Sequence, residues 1–255
     1  MIKSNLKIMS CNLNGIKSAK KKGFLDVISD SDPDIICIQE TKSHAENLPD
    51  DLMQIPGYMS KFYSNSKKGI SGVAIYSKLV PNDYEYGLTI EEGIEGRLIR
   101  FDFDNFTLIN VYTPSGGKKI NLAHKHDFLR KLFLYVEMLH DEGKNVIMCG
   151  DFNIAHTEKD LYFKNFKKAG FLPVEREMIT EFLKSGFKDA FRELHPNDEE
   201  FTWYSWRSRN HPELGGGMRL DYFFVSEEIM EAVEKCEIYD YNLSDHNQLF
   251  LTIKL

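Results

Sequence analysis

Nine residues of this sequence combine chemically capable side chains with one recurring position, the end of a short apolar run. Asn12 and Asn14 follow LKIMSC, Glu40 ends IICIQE, Tyr112 ends LINVY, and Asp151 with Asn153 follows VIMCG. Asp221 enters RLDYFFV, and Asp245 with His246 precedes QLFLTI. Carboxylate and amide oxygens suit a hard cation such as Mg²⁺, which takes few protein ligands and keeps several waters. Glu40 and Asp245 are candidate ligands, with Asn14 supplementary. A histidine held by a carboxylate supplies a donor to an anion, and Asp221 with His246 offers that pair. Hydrolysis of a phosphodiester needs this combination, because charge on the phosphoryl oxygens must be stabilised while another group positions or deprotonates water.

For these groups to act together, their strands must end at one edge. Strand-like runs, many of them β-branched or aromatic, span 6–11, 34–39, 72–77, 97–103, 106–112, 145–150, 219–225 and 248–253. Apolar residues at three- and four-residue spacing predict helices over 18–29, 124–142, 174–185 and 227–235, the second with a buried stripe of Phe128, Leu132, Tyr135, Val136 and Leu139. Runs 97–103 and 106–112 are joined only by Asp104 and Asn105, a hairpin that argues against an all-parallel sheet, and no GxGxxG is present. The pattern predicts an α/β fold with two packed mixed β-sheets and helices outside. Each site residue also has a plainer use: Asn12 and Asn14 as turn formers, Asp151 and Asn153 as helix caps, and His246 as a hydrogen-bonded structural histidine.

The 255 residues, 42% hydrophobic and 28% charged, fit a single globular domain over 1–255. A formal net charge of −7 argues at first against a nucleic-acid partner, since phosphate neutralisation drives much of such binding. Basic residues nevertheless cluster at Lys17 and 20–22, at 67–68, at Lys164, Lys167 and Lys168, and at Arg207 and Arg209. Cys11, Cys37, Cys149 and Cys236 lie far apart, as buried free thiols of a reducing compartment would. The first residues have no long apolar core, and no run approaches the ~20 apolar residues of a membrane span, so a cytoplasmic protein without a membrane partner is expected.

Taken in order, CNLNG (11–15), IQETK (38–42), NVYTP (110–114), GDFN (150–153), RLDYFFV (219–225) and SDH (244–246) resemble the exonuclease III family of abasic-site (AP) endonucleases, within the endonuclease/exonuclease/phosphatase superfamily. Six motifs in register carry the resemblance, which spans essentially the whole chain. It implies a four-layered α/β sandwich and Mg²⁺-dependent incision of duplex DNA 5′ to abasic sites, with 3′-5′ exonuclease or 3′-end trimming as a related capacity. It further implies Asn12 and Glu40 at the metal, with Asp245 bound to it or near it. Asp151 is expected at the attacking water or the leaving-group proton, Asn153 orienting that water, and His246 (with Asp221) and Tyr112 on the phosphate. Mn²⁺ is expected to substitute for Mg²⁺, and the protein to act as a monomer.

GFLPVEREMITEFLKSGFKDAFRELHP (170–196) and FTWYSWRSR (201–209) resemble segments of the DNA-repair branch. The resemblance places Trp203, Met218 and Leu220 around the abasic sugar and Lys17 on phosphate, while Arg207 beside the aromatics suits a DNA backbone. Three departures stand out: Met218 where many relatives carry tryptophan, Ser115 where asparagine or glutamine is common, and Ile70 at a position where some carry a DNA-probing tyrosine. Two other readings compete, namely a phosphoesterase acting on a small phosphoester or lipid headgroup and a non-catalytic DNA-binding protein on the same scaffold. FTWYSW could also be an aromatic core strand.

Overall fold

The computed structural model describes residues 5–67, 69–88, 95–117, 119–163 and 167–254, so Lys68 and Lys164 of the basic clusters lie outside the described residues. The first sheet runs β11(Val233–Tyr239), β12(Gln248–Ile253), β1(Leu6–Asn12), β2(Ile35–Gln39), β4(Val73–Ser77), β3(Met59–Tyr63). The second runs β5(Asp83–Tyr86), β6(Leu98–Asp102), β7(Thr107–Tyr112), β8(Val146–Asp151), β10(Asp221–Ser226), β9(Phe187–Asp189). Both are mixed: β1 pairs parallel with β2 and β7 parallel with β8, among antiparallel neighbours.

Side chains alternate along a strand, so each sheet presents two apolar faces. The inner faces meet in one core that includes Ile8, Cys37 and Ile75 of the first sheet and Leu108, Ile147 and Phe223 of the second. The outer face of the first sheet is covered by α1(Ile16–Lys21), α2(Phe24–Ser31) and α3(Asp50–Met53), through Ile16, Phe24, Ile28 and Leu52. That of the second is covered by α4(Lys119–Asp141) and α5(Pro173–Lys184). The result is the four-layered α/β sandwich. Two short helices, α6(Ala190–Leu194) and α7(Trp206–Asn210), complete the described elements used below. All four cysteines are buried and free, and among the described residues no helix is long and apolar enough to cross a membrane.

The sequence expectations need three corrections. The helix predicted over 18–29 is two helices, broken at Gly23, whose φ of +91° is a left-handed conformation that glycine adopts without strain. The segment 227–235 is a 3₁₀ turn over Glu227–Ala232 followed by the start of β11. Strands β3, β5 and β9, all short and all at sheet edges, were not anticipated. Of the predicted α4 stripe, Phe128, Leu132, Val136 and Leu139 are buried, whereas Tyr135 is only partly so and its hydroxyl meets Arg100 and Glu85.

Candidate active site

Strand register gathers the site. Tyr112 is opposite Asp151 across β7 and β8, and Asp151 is opposite Asp221 across β8 and β10. In the other sheet Asn12 is opposite Gln39, which brings Glu40 beside it. Below this edge the sheets are stitched by polar groups that the sequence reading passed over. Gln39 Nε2 donates to Asn110 Oδ1 at 2.7 Å, and Asn110 Nδ2 donates to the backbone oxygens of Ile38 and Ala74 at 3.0 and 2.9 Å. A polar residue inside each of the apolar runs LINVY and IICIQE was the available signal.

Asn12 is fully buried, and its amide nitrogen donates to Glu40 Oε1 and Asp151 Oδ2, both at 2.9 Å, so one amide joins carboxylates from the two sheets. Asn153 donates to both oxygens of Asp151, from its backbone at 2.8 Å and its amide at 3.3 Å. Asp221 Oδ2 lies 2.8 Å from His246 Nδ1, while His246 Nε2 faces Asp151 Oδ2 at 3.9 Å, beyond hydrogen-bond distance. Asn14 donates to Asp245 Oδ1 at 2.9 Å, and Asp245 Oδ2 accepts from Trp203 Nε1 at 3.1 Å. Thus the nine polar residues do converge. Lys42, also unforeseen, contacts Asn14 Oδ1 and lies 2.7 Å from Glu40 Oε2. Arg97 donates to the Tyr112 carbonyl at 3.2 Å and stacks on its ring.

The backbone here is held in uncommon conformations. Asn14, Glu40, Lys42 and Asn153 have φ between +47° and +54°, four of the seven non-glycine residues with positive φ among those described. Each such residue costs on the order of 1–3 kcal/mol unless its surroundings enforce it, and these outliers cluster where the polar groups meet.

Burial shapes the charges. Desolvation pushes the Asp151 carboxyl up to about 7, reinforced by Asp221 and Glu40 and opposed by His246. For His246 burial acts downward, but the Asp221 and Asp151 carboxylates override it and raise the imidazole to about 10, so it is a cation at neutral pH. For Glu40 burial acts upward, but hydrogen bonds from Lys42 and Asn12 hold it below the usual carboxylate range. Tyr112 is raised by burial and by the Glu40 and Asp151 charges, and so stays protonated.

Four carboxylates (Glu40, Asp151, Asp221 and Asp245) share this mouth with Lys42, His246 and Arg97, and Asp221 Oδ1 is buried without a partner. Hard oxygen donors, an excess of acid and an orphaned carboxylate oxygen fit a divalent cation. The tightest group of potential ligands among the described residues is Asp151, Asp221 and His246, within 4.8 Å of one another, a different set from Asn12, Asn14, Glu40 and Asp245. The Asp221–His246 hydrogen bond occupies Nδ1 and one carboxylate oxygen, which suits that pair to orienting the imidazole.

Beside the polar cluster lies an apolar one, Ala155, Leu161, Phe171, Met218 and Leu220 with Trp203 packed against it. Residue Trp203 bridges backbone-to-backbone to both Met218 and His246, so this pocket and the imidazole share a wall. Lys17 is exposed on α1, immediately after Gly15 and Ile16, whose N–H groups bond the backbone oxygens of Glu40 and Thr41. Ile70 is 46% exposed, next to Ser71 and Gly72, which pair with Lys42 and Thr41. Ser115 and Arg207 are exposed and do not join the cluster. Arg209 is committed elsewhere, 2.6 Å from Asp240 and 3.0 Å from Asn247. FTWYSW is not a core strand, because it turns after Trp203 into α7.

Two mixed sheets back to back, with carboxylates, amides and an imidazole gathered at one end of the sandwich, are the arrangement of an α/β-sandwich hydrolase. Residues 9–246 match the endonuclease/exonuclease/phosphatase family, and the chain belongs to that family. It is 38% identical over 259 residues to an exodeoxyribonuclease of Bacillus subtilis, covering 98% of this chain and 100% of that one. Over 248 residues it is 40% identical to recombination repair protein 1 of Drosophila melanogaster, covering 95% of this chain but only 36% of the fly protein. A solved AP endonuclease from Archaeoglobus fulgidus superposes with a TM-score of 0.88 at 30% identity, covering 98% of this chain and 100% of that one.

Proposed function

We propose that this protein is a DNA repair nuclease that uses Mg²⁺ to hydrolyse the backbone of duplex DNA 5′ to abasic sites, with 3′-5′ exonuclease and 3′-end trimming as related activities. The observation that carries the reading is the joining of Glu40, Asp151 and the Asp221–His246 pair at one mouth, against the apolar pocket of Trp203, Met218 and Leu220. The names of the bacterial and archaeal relatives support the choice of DNA as substrate.

Glu40 and Asn12, with Asn14 and Asp245 around them, would hold the ion. When bound, Mg²⁺ supplies positive charge against the phosphoryl oxygens. Asp151, with a carboxyl near neutrality, is suited to take a proton from water or return one to the leaving oxygen, and Asn153 fixes its orientation. The His246 imidazolium, aligned by Asp221, and the protonated Tyr112 hydroxyl donate to the phosphate. An abasic sugar enters the apolar pocket readily because it has no base stacking to lose, and Lys17, Ile70 and Arg207 contact the flanking DNA. The buried free thiols suit a reducing cytoplasm, where the protein acts as a monomer.

A duplex carrying one tetrahydrofuran abasic analogue tests this. With Mg²⁺ a single nick 5′ to the lesion is expected, and with EDTA none. Failure to nick with Mg²⁺, or faster turnover of a small phosphoester or lipid headgroup than of this duplex, defeats the proposal.

A further inference from the structure

Behind the Asp151–Asn153 turn lies an ion pair that the site described above does not use. Lys125 of α4 and Glu175 of α5 have side chains with no solvent exposure, 2.5 Å apart. The second oxygen of Glu175 accepts from the backbone N–H groups of Gly170 and Leu172 at 2.7 and 3.0 Å, so the carboxylate is anchored at the start of its helix. Lys125 Nζ also donates to the backbone oxygen of Asn153, at 2.8 Å.

Such a pair is a poor device for stability alone, because desolvating both charges offsets their attraction, and apolar replacements of similar volume are often as stable. What this pair does hold is one carbonyl, and that carbonyl belongs to the left-handed Asn153 (φ +53°), whose N–H and amide grip the two oxygens of Asp151. We infer that Lys125, fixed by Glu175, is a positioning residue: its ammonium pins the Asn153 carbonyl and thereby fixes the orientation of the Asp151 carboxylate. The inference rests on the reading that Asp151 acts on water or the leaving group. Misplacing a reacting group by about 1 Å can cost on the order of 100-fold in rate, so a turn freed from this anchor slows the chemistry while leaving substrate binding intact.

The test compares two double variants with the parental protein on the abasic duplex with Mg²⁺, measuring Tm, kcat and KM. Lys125→Met with Glu175→Gln removes both charges and the donor at similar volume. It is expected to melt close to the parent and to keep KM within about twofold, while losing about 10- to 100-fold in kcat. Lys125→Arg with Glu175→Asp keeps the pair and a donor, and is expected to recover kcat to within about fivefold of the parent. Parental kcat in the Met/Gln variant overturns the inference, as does an equal loss in both variants or a loss confined to KM. If a variant does not fold, the decision passes to ¹⁵Nζ of Lys125 in the parental protein. A through-hydrogen-bond coupling from it to the Asn153 carbonyl carbon is expected, and its absence overturns the inference. A parental protein that fails to nick speaks against the proposed function instead, which keeps the two failures distinct.

Discussion

Two buried charge clusters, less than one strand apart in sequence, treat the same residue type in opposite ways. Asp160 and Asp189 face Arg219 and Arg192: Arg219 donates to Asp160 at 2.7 Å and forks onto Asp189 at 2.7 and 3.1 Å, and Arg192 reaches Asp160 at 2.6 Å. Burial would raise the Asp160 carboxyl, but Arg219 and Arg192 override it and hold it far below the usual range. Two residues beyond Arg219, Asp221 opens the other cluster, in which Asp151 is also buried yet raised to about 7, because desolvation, helped by the Asp221 and Glu40 carboxylates, outweighs the His246 charge and no guanidinium bonds it. The first cluster is balanced and belongs to the scaffold. The second holds more carboxylates than cations, a deficit of positive charge that a bound cation would offset before an anionic phosphate could approach.

The sharpest way to break this contrast is substitution inside the deficient cluster. Asp151→Asn or His246→Ala is expected to lower single-turnover incision by about 10²–10⁴-fold, while fluorescence anisotropy shows duplex binding within about threefold of the parent. Binding and cutting lost together would contradict the assigned roles.

In the balanced cluster the loss should fall on stability. Arg219→Met removes the guanidinium shared by two buried carboxylates, leaving Asp189 without a charged partner, and is expected to cost about 3–5 kcal/mol in denaturant unfolding. Activity per folded molecule should change far less than in the Asp151 variant.

The opposite signs should also appear in pH dependence. Asp151 has a folded value above its ordinary one, so the folded state binds the extra proton, and the stability it contributes is lost as pH rises from about 4 to about 7. His246, raised to about 10, adds a further loss from about 6.5 upward. Metal-free Asp151→Asn is therefore expected to be more stable than the parent at pH 8 by about 0.5–2 kcal/mol, a gain that shrinks at pH 5. Melting curves at the two pH values, in EDTA, check the sign. Smallest of all, Met218→Trp should change the preference for the abasic analogue over undamaged duplex by less than about tenfold, or about 1.4 kcal/mol, the low end of what a change of pocket shape is worth.

Much of this was legible because a polar residue ending an apolar run is costly unless it has work to do. Asn12, Glu40, Asp151 and Asp221 were found that way, and strand register then brought them together. What escaped had no such local mark. Lys42, Lys125 and Glu175 read as ordinary members of a loop and two amphipathic helices, and only the tertiary fold places Lys42 at the site and buries Lys125 and Glu175 behind it. The helix predicted over 227–235 failed because its apolar residues divide between two elements, Ile229 in the 3₁₀ turn and Val233 at the start of the edge strand β11, where the register shifts between Val233 and Lys235. The strands β3 and β5 lie at sheet edges and lack a clean alternation of buried and exposed positions.

The charge deficit around Glu40 and Asp151 is the proposed divalent-ion site. Calorimetric titration of Mg²⁺ into the parental protein and into Glu40→Gln tests it most directly, with Arg219→Lys as the control in the balanced cluster. Saturable binding by the parent and by the control, weakened at least tenfold in Glu40→Gln, is the predicted result. Equal binding by the parent and Glu40→Gln, or none by the parent, would contradict it.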